Sequence, residues 1–311
     1  MTVIDAPRPT MTDDERRALI QSAARATYNR KVWMSRVFMV FLGLALIIAL
    51  IPLLSIIRDV IGNGWRYVNW TFLSTPQAAE VSMFNQNAIG GISNAITGTL
   101  LIDAIATLIA IPISILMAIS LYESSGRIMN AVRMYVEVMI GLPSILVGIF
   151  IYVVVVTPMG YRFTAFAGAL ALAMMMIPLM TIACESALRA VPETLTEAAL
   201  ALGAKPSRVM LRVVLPYAVP RMITGIMLSM SRAVGETAPI LFIIGSSLVN
   251  SWKPLQPATS LPTMMFNYLF NSNYQSQKDA CWGIALILIF AVFLLNLASR
   301  VIVARTQKGR S

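Results

Sequence analysis

The sequence predicts an all-α polytopic membrane protein with six transmembrane helices and both termini in the cytoplasm. Three observations carry this prediction. Of the 311 residues, 58% are hydrophobic and only 12% charged, too little charge to cover a soluble domain of this length. Hydrophobic stretches long enough for a hydrocarbon core of about 30 Å, which takes roughly 20 helical residues, recur six times along the chain. Lys and Arg fall unequally on alternate connections between them, the asymmetry that orients helices in a membrane. An unpaired strand edge is too costly in lipid, so each stretch must be a helix.

The first 36 residues read as a cytoplasmic arm (1–36). Thr12 and Glu15 have capping-box spacing, acidic residues fill the first turn, and Arg30 and Lys31 lie towards the end, as the helix dipole favours. A basic amphipathic helix on the inner leaflet fits this pattern, and a solvated arm is the alternative. The first apolar run begins near Val37 and is too long for a signal-peptide core. A transmembrane domain is expected over 37–303, with spans at 37–57, 94–121, 134–156, 163–184, 218–248 and 280–303, then a short cytoplasmic tail, 304–311. Pro52, Pro112, Pro143, Pro178 and Pro239 lie within spans and predict kinks. Small residues such as Gly141, Gly148, Gly168 and Gly225 are expected to let helices approach closely.

With the N-terminus inside, 18 of the 24 Lys and Arg residues fall on the cytoplasmic side, five on the outer side, and Arg232 lies within a span. The net charge of +10 is therefore a topology signal rather than a nucleic-acid footprint. No histidine is present, and Cys184 and Cys281 lie far apart in or beside apolar runs. Neither a metal site nor a disulfide framework is expected, and no nucleophile–base pair for catalysis is apparent.

Between the fourth and fifth spans lies "EAALALGAKPSRVMLRVVLP", residues 197–216. Pro192 can open a helix, with Glu193 and Glu197 near its positive end; Gly203 can end it. Pro206 can start a second short helix, which Pro216 is expected to break before the fifth span. Leu200, Leu202, Val209, Met210, Val213 and Val214 supply apolar surface for packing this elbow, 186–216. Two short helices held at a fixed angle make a docking surface.

The fifth span carries "SMSRAVGETAPIL", with Arg232 and Glu236 at i and i+4 and Ser231 beside them. Counted at 1.5 Å per residue from the expected span ends, Arg232 lies about 16 Å from the inner boundary and Asp103 about 12 Å from the outer one. Either Asp103 or Glu236 can serve as counter-charge to Arg232. Charge inside a membrane is costly, and guanidinium suits tetrahedral oxyanions, so these residues are candidates for an anion pathway. A structural ion pair between spans is the alternative reading.

The spacing Glu197-Ala198-Ala199, Gly203, Val213, Leu215-Pro216 resembles the cytoplasmic signature of ABC importer permeases, with Val213 where that family usually has Ile. Residues 90–124, 141–150 and 187–241, above all Arg232 to Pro239, resemble phosphate importer permeases of the PstA family. The resemblance implies a type I ABC importer permease fold in a bacterial plasma membrane. It implies a heterodimer with a PstC-like permease, a PstB-like ATPase pair that binds ATP and Mg, and an extracytoplasmic PstS-like phosphate-binding protein. Glu197, Ala198, Ala199, Gly203, Leu215 and Pro216 would then form the ATPase-coupling elbow. None of the five lysines follows a glycine, so a Walker loop is absent and no catalytic residue or cofactor is expected in this chain. The outer connections, 58–92 and 249–279, would meet the binding protein; the apolar residues 261–270 can form a short re-entrant or interfacial helix, and a lone interfacial anchor is the equal alternative. Permeases for sulfate or molybdate, or an ion-coupled secondary transporter using Glu236 or Asp103, are the alternative functions; no internal repeat favours the latter.

Overall fold

The computed structural model describes residues 13–78, 90–160 and 162–308; Thr12, the expected cap of the first helix, lies outside them. The described secondary structure is almost wholly helical, with one isolated β-bridge between Gln77 and Gly90. The chain divides into two compact units, 1–59 and 60–311. The first holds most of α1 (Asp13–Gly64), one helix running without interruption through the expected boundary at residue 36. From Lys31 to Arg58 it is strongly apolar and almost wholly exposed, whereas Val60 and Gly64 near its end are buried; an exposed apolar face is the expected state of a helix that meets lipid.

In the second unit, α2 (Trp70–Ser74) is capped by Asn69, whose Oδ1 accepts from the Phe72 amide at 2.8 Å. The second span is α3 (Ser93–Glu123) and the fourth is α6 (Ala165–Arg189), the most buried of the spans. These two pack closely, with Ser114 donating to the Ile177 carbonyl beside Pro178. The sixth span lies within α11 (Gln275–Lys308).

Two spans differ from expectation. The third is not one kinked helix. It is α4 (Arg127–Gly141) and α5 (Ser144–Ile151), bent by 108° between them, with α5 running on through a π-helical turn, Tyr152–Val156. The cause is Pro143, which holds Leu142 in an extended conformation (φ −71°, ψ 136°) and begins the second helix.

The fifth span starts earlier and stops earlier than 218–248. Its helix runs through α8 (Pro206–Val209), a π-helical turn (Met210–Val214) and α9 (Leu215–Ala233). Pro216 therefore does not break the chain. The π turn immediately precedes it, and Pro216 itself falls in the opening turn of α9, where a missing amide is tolerated. Beyond Ala233 the helix tightens and ends, with Gly235 donating to the Arg232 carbonyl and Glu236 to that of Ala233.

Residues 234–260 then run irregularly through the bundle. Several of their backbone groups pair with another span: carbonyls of Ile243, Gln256 and Pro254 accept from the amides of Thr164, Ala165 and Phe166. The loop thus satisfies the otherwise orphaned donors at the start of α6. Non-helical backbone survives at this depth because protein groups replace the missing water. Gly245, at φ +74°, is one residue that needs the left-handed region.

The expected helix at 261–270 is α10 (Leu261–Phe266) followed by a π turn, Asn267–Asn271. It is not a lone surface anchor. Leu261 and Met264 are buried with Ile92, Ala95 and Ile284, Ser260 and Thr263 form a capping box, and Thr99 Oγ1 accepts from the Leu261 amide. Three of the four packing glycines also meet close neighbours: Gly148 the backbone of Pro239, Gly168 the side chain of Ile244 and Gly225 Ala183. Gly141 faces open space.

Candidate functional site at the broken fifth span

Arg232 stands in the last turn of α9, one residue before the helix ends. Glu236 follows in the first turn of irregular chain. Their side chains are 62% and 21% exposed, and Arg232 Nε lies 3.4 Å from Glu236 Oε1. This is a long, single-atom pairing. Among the described residues, the two Nη groups of Arg232 have no protein hydrogen-bond partner, so the fork of the guanidinium is open.

The pair faces a cleft of about 190 Å³, lined by Ile140 and Leu142 at the end of α4, Ser144 at the start of α5, and Met175 and Leu179 of α6. Met175 and Leu179 lie in the middle of α6, which puts the charges at mid-span. Both broken spans meet here. Gly148 of α5 sits so close to the turn after Glu236 that an added Cβ would lie 2.5 Å from the Pro239 carbonyl oxygen. No side chain caps α5, so the donors of its first turn add positive potential beside Ser144.

Within this chain Arg232 pairs with Glu236 rather than with Asp103. Asp103, half-buried on α3, lines a separate, largely apolar cavity of about 560 Å³ with Met230 and Ala233 of α9, Val234 just beyond it and Ile287 of α11. It has no ion-pair partner among the described residues. The sequence estimate matched depths but not faces: Asp103 lines the apolar cavity and Arg232 the cleft. Ser231 is also off the cleft. It is buried, and its hydroxyl donates to the Met227 carbonyl at 2.9 Å. Ser144 stands at the cleft instead, and nothing in its local sequence distinguishes it.

At the elbow, α7 (Glu193–Ala201) ends through Leu202 and Gly203, the latter at φ +78°. Ala204 then donates to the Ala199 carbonyl at 3.2 Å and Gly203 to that of Leu200 at 2.9 Å. Glu197 and Ala198 are exposed, Ala199 partly buried, and Leu215 and Pro216 partly buried inside the continuous fifth helix. Val209, Met210 and Val214 pack inward. Leu200 and Leu202 do not; Leu202 is 89% exposed at the tip. Cys184 and Cys281 are free and buried. Among the described residues no cluster of ligating side chains is arranged to hold a metal ion.

The model of the family described as binding-protein-dependent transport system inner membrane component matches residues 110–310. The phosphate transport system permease protein PstA 1 of Mycobacterium tuberculosis (strain H37Rv) is 35% identical over 264 residues, covering 84% of this chain and 85% of that protein. The chain belongs to the PstA family of binding-protein-dependent permeases. A second PstA relative, described as probable, from Methanocaldococcus jannaschii is 33% identical over 264 residues, covering 83% of this chain and 89% of the other.

Two solved structures share the fold. A permease chain of a bacterial alginate ABC transporter, crystallised with an alginate-bound periplasmic protein, gives a TM-score of 0.58 at 16% identity over 89% of this chain and 94% of its own. A chain of the inward-facing MetNI methionine ABC transporter gives 0.55 at 20% over 70% and 94%. This PstA-family chain is therefore a multi-pass inner-membrane permease subunit with the ABC importer permease fold.

Proposed function

We propose that this chain is one of two permease subunits of an ATP-driven importer of inorganic phosphate, and that Arg232 is its anion step. The observation that carries the reading is the open guanidinium fork at the meeting of two broken spans. A tetrahedral oxyanion can take the free Nη donors, with the α5 N-terminus and Ser144 adding partial positive charge. Glu236, paired through Nε alone, keeps the net charge near zero, so the anion is admitted but not trapped. Phosphate is favoured over other oxyanions by the PstA relatives.

In this reading both termini and the elbow face the cytoplasm. A PstB-like ATPase pair, which binds ATP and Mg, engages Glu197, Ala198, Ala199, Gly203 and the protruding Leu202. Leu215 and Pro216 carry the motion into the fifth span. A PstC-like subunit completes the pathway, and a PstS-like binding protein delivers phosphate to the outer connections.

The test is labelled-phosphate uptake at micromolar phosphate by cells carrying Arg232→Gln, with co-purification of the other subunits measured in parallel. Losing one charge-assisted contact should lower uptake by about 10- to 100-fold with assembly intact. Failure of assembly with the variant would identify Arg232–Glu236 as a structural pair. Competition of uptake by excess sulfate or molybdate would move the assignment to another oxyanion.

A further inference from the structure

A buried carboxylate lies near the inner end of α6, away from the cleft. Glu185 is 8% exposed, and its Oε1 accepts from Arg133 Nη2 of α4 at 2.8 Å and from Arg189 Nε at 2.9 Å, with Arg189 Nη2 ion-paired to it at 2.8 Å. Arg189 Nη2 also donates to the Leu121 carbonyl near the end of α3 at 3.3 Å. Five residues on, the Ala190 carbonyl accepts from Arg221 Nη1 of α9 at 3.0 Å. Four elements therefore converge on residues 185–190, immediately before Pro192 and α7.

The electrostatics of this node are specific. A helix C-terminus carries partial negative charge, which suits Arg189, Arg133 and Arg221 but disfavours a carboxylate. A buried Glu there requires cations from elsewhere, and Arg133 provides the one from outside its own helix. That arginine adds a charged tie between α4 and α6 to the direct packing of the two helices. From Arg133, α4 runs about 12 Å to Gly141, where Ile140 and Leu142 line the Arg232 cleft. The α6 helix reaches the same cleft through Met175 and Leu179.

We propose that Glu185 is a positioning residue for coupling. The Arg133–Glu185–Arg189 clamp makes α4 follow α6 when the elbow moves, so that both walls of the cleft shift together. The elbow is covalently continuous with α6 through Ala190 to Pro192, but α4 is joined to this corner by the clamp. Without it, elbow displacement reaches the α4 wall through apolar contact alone. This inference rests on the ATP-driven reading proposed above.

The test uses the complete importer reconstituted in liposomes, with phosphate moved and ATP hydrolysed measured together. With Glu185→Gln and with Arg133→Gln, the complex should assemble and hydrolyse ATP near the parental rate. Phosphate moved per ATP should fall about tenfold, the scale of one charge-assisted hydrogen bond in a coupling equilibrium. Arg133→Lys, which keeps the charge, should restore part of the ratio. A purely structural clamp would lower assembly, hydrolysis and uptake in parallel and leave the ratio unchanged. Arg133→Gln decides the matter if Glu185→Gln fails to assemble, because Arg189 still covers the carboxylate; a parental ratio in that variant overturns the proposal. If the parent importer hydrolyses ATP without moving phosphate, the phosphate reading fails instead. The same variants are then scored by the ATP-driven distance change between spin labels at Leu202 and Leu142, which needs no substrate. A change equal to the parent's overturns the clamp.

Discussion

The elbow at 193–215 and the break at 234–247 are both interruptions of helix by glycine and proline, yet they are built in opposite ways. The elbow closes its own hydrogen bonds: Leu202, Gly203 and Ala204 return to carbonyls within α7, and its tip, Leu202, stands in the open. The break borrows its closure. Its Ile243 carbonyl accepts from Thr164, Ala258 donates to Ile244, and Pro239 lies against Gly148 of another span. A self-closed turn can be presented to a partner and moved as a unit. A turn closed by its neighbours is locked into the bundle, so charged groups set on it are held at a fixed place. Breaking the two regions should therefore have different signatures, one in coupling and the other in assembly.

The largest effect is expected at the borrowed closure. Gly148→Val puts branched carbons where the Pro239 carbonyl already leaves no room; overpacking of this kind costs about 1–3 kcal/mol. Because the displaced segment carries Glu236, yield of the assembled complex and phosphate uptake should both fall, measured by membrane abundance and co-purification. Normal assembly with normal uptake would show that the break is not locked by this contact. Gly141→Val supplies the contrast, since Gly141 meets nothing within 4 Å; it should leave the abundance of the chain close to parental.

A smaller effect is expected at the elbow. Gly203 has φ +78°, and a side chain in the left-handed region costs about 1–2 kcal/mol. Gly203→Ala should leave membrane insertion unchanged, because nothing crowds the position, while lowering phosphate uptake by roughly fivefold at 1 kcal/mol. The assay is uptake normalised to protein in the membrane. Loss of the protein itself, rather than of uptake, would make the elbow as dependent on the bundle as the break is.

These differences also mark what the sequence could reveal. The six hydrophobic segments are legible because a membrane span is specified by length and apolarity alone, both local properties. The elbow is legible for the same reason: Pro192, Gly203 and Pro206 act on their own backbone. Arg232 and Glu236 are legible as an i,i+4 pair. The end of α9 at Ala233 is not, because residues 234–248 remain apolar enough to read as helix and groups that replace their helical bonds come from Thr164, Ala258 and Thr259. The 108° bend hides within an ordinary proline signal, since Pro143 announces a kink but not its size. Glu185 and Arg189 have helical spacing, yet Arg133 lies 52 residues away, and only the fold brings it in.

Asp103 sharpens the comparison from the other side. Hydropathy and depth make it resemble Arg232, a charge at mid-membrane, but its setting lacks both features of the break. It sits on an unbroken helix, α3, and faces an apolar cavity among Met230, Val234 and Ile287. A pathway residue needs a route for a hydrated ion and partners that exchange with it; this cavity offers Thr99 and Thr107, and the Thr99 hydroxyl already accepts from Leu261. Asp103→Asn keeps the shape and removes the charge. Uptake should then stay within about twofold of the parent, a change of under 0.5 kcal/mol, against the 10- to 100-fold loss expected for Arg232→Gln. Equal losses in the two variants would mean that charge at mid-membrane matters wherever it stands. The unequal outcome would assign the anion step to the broken helix and not to the depth.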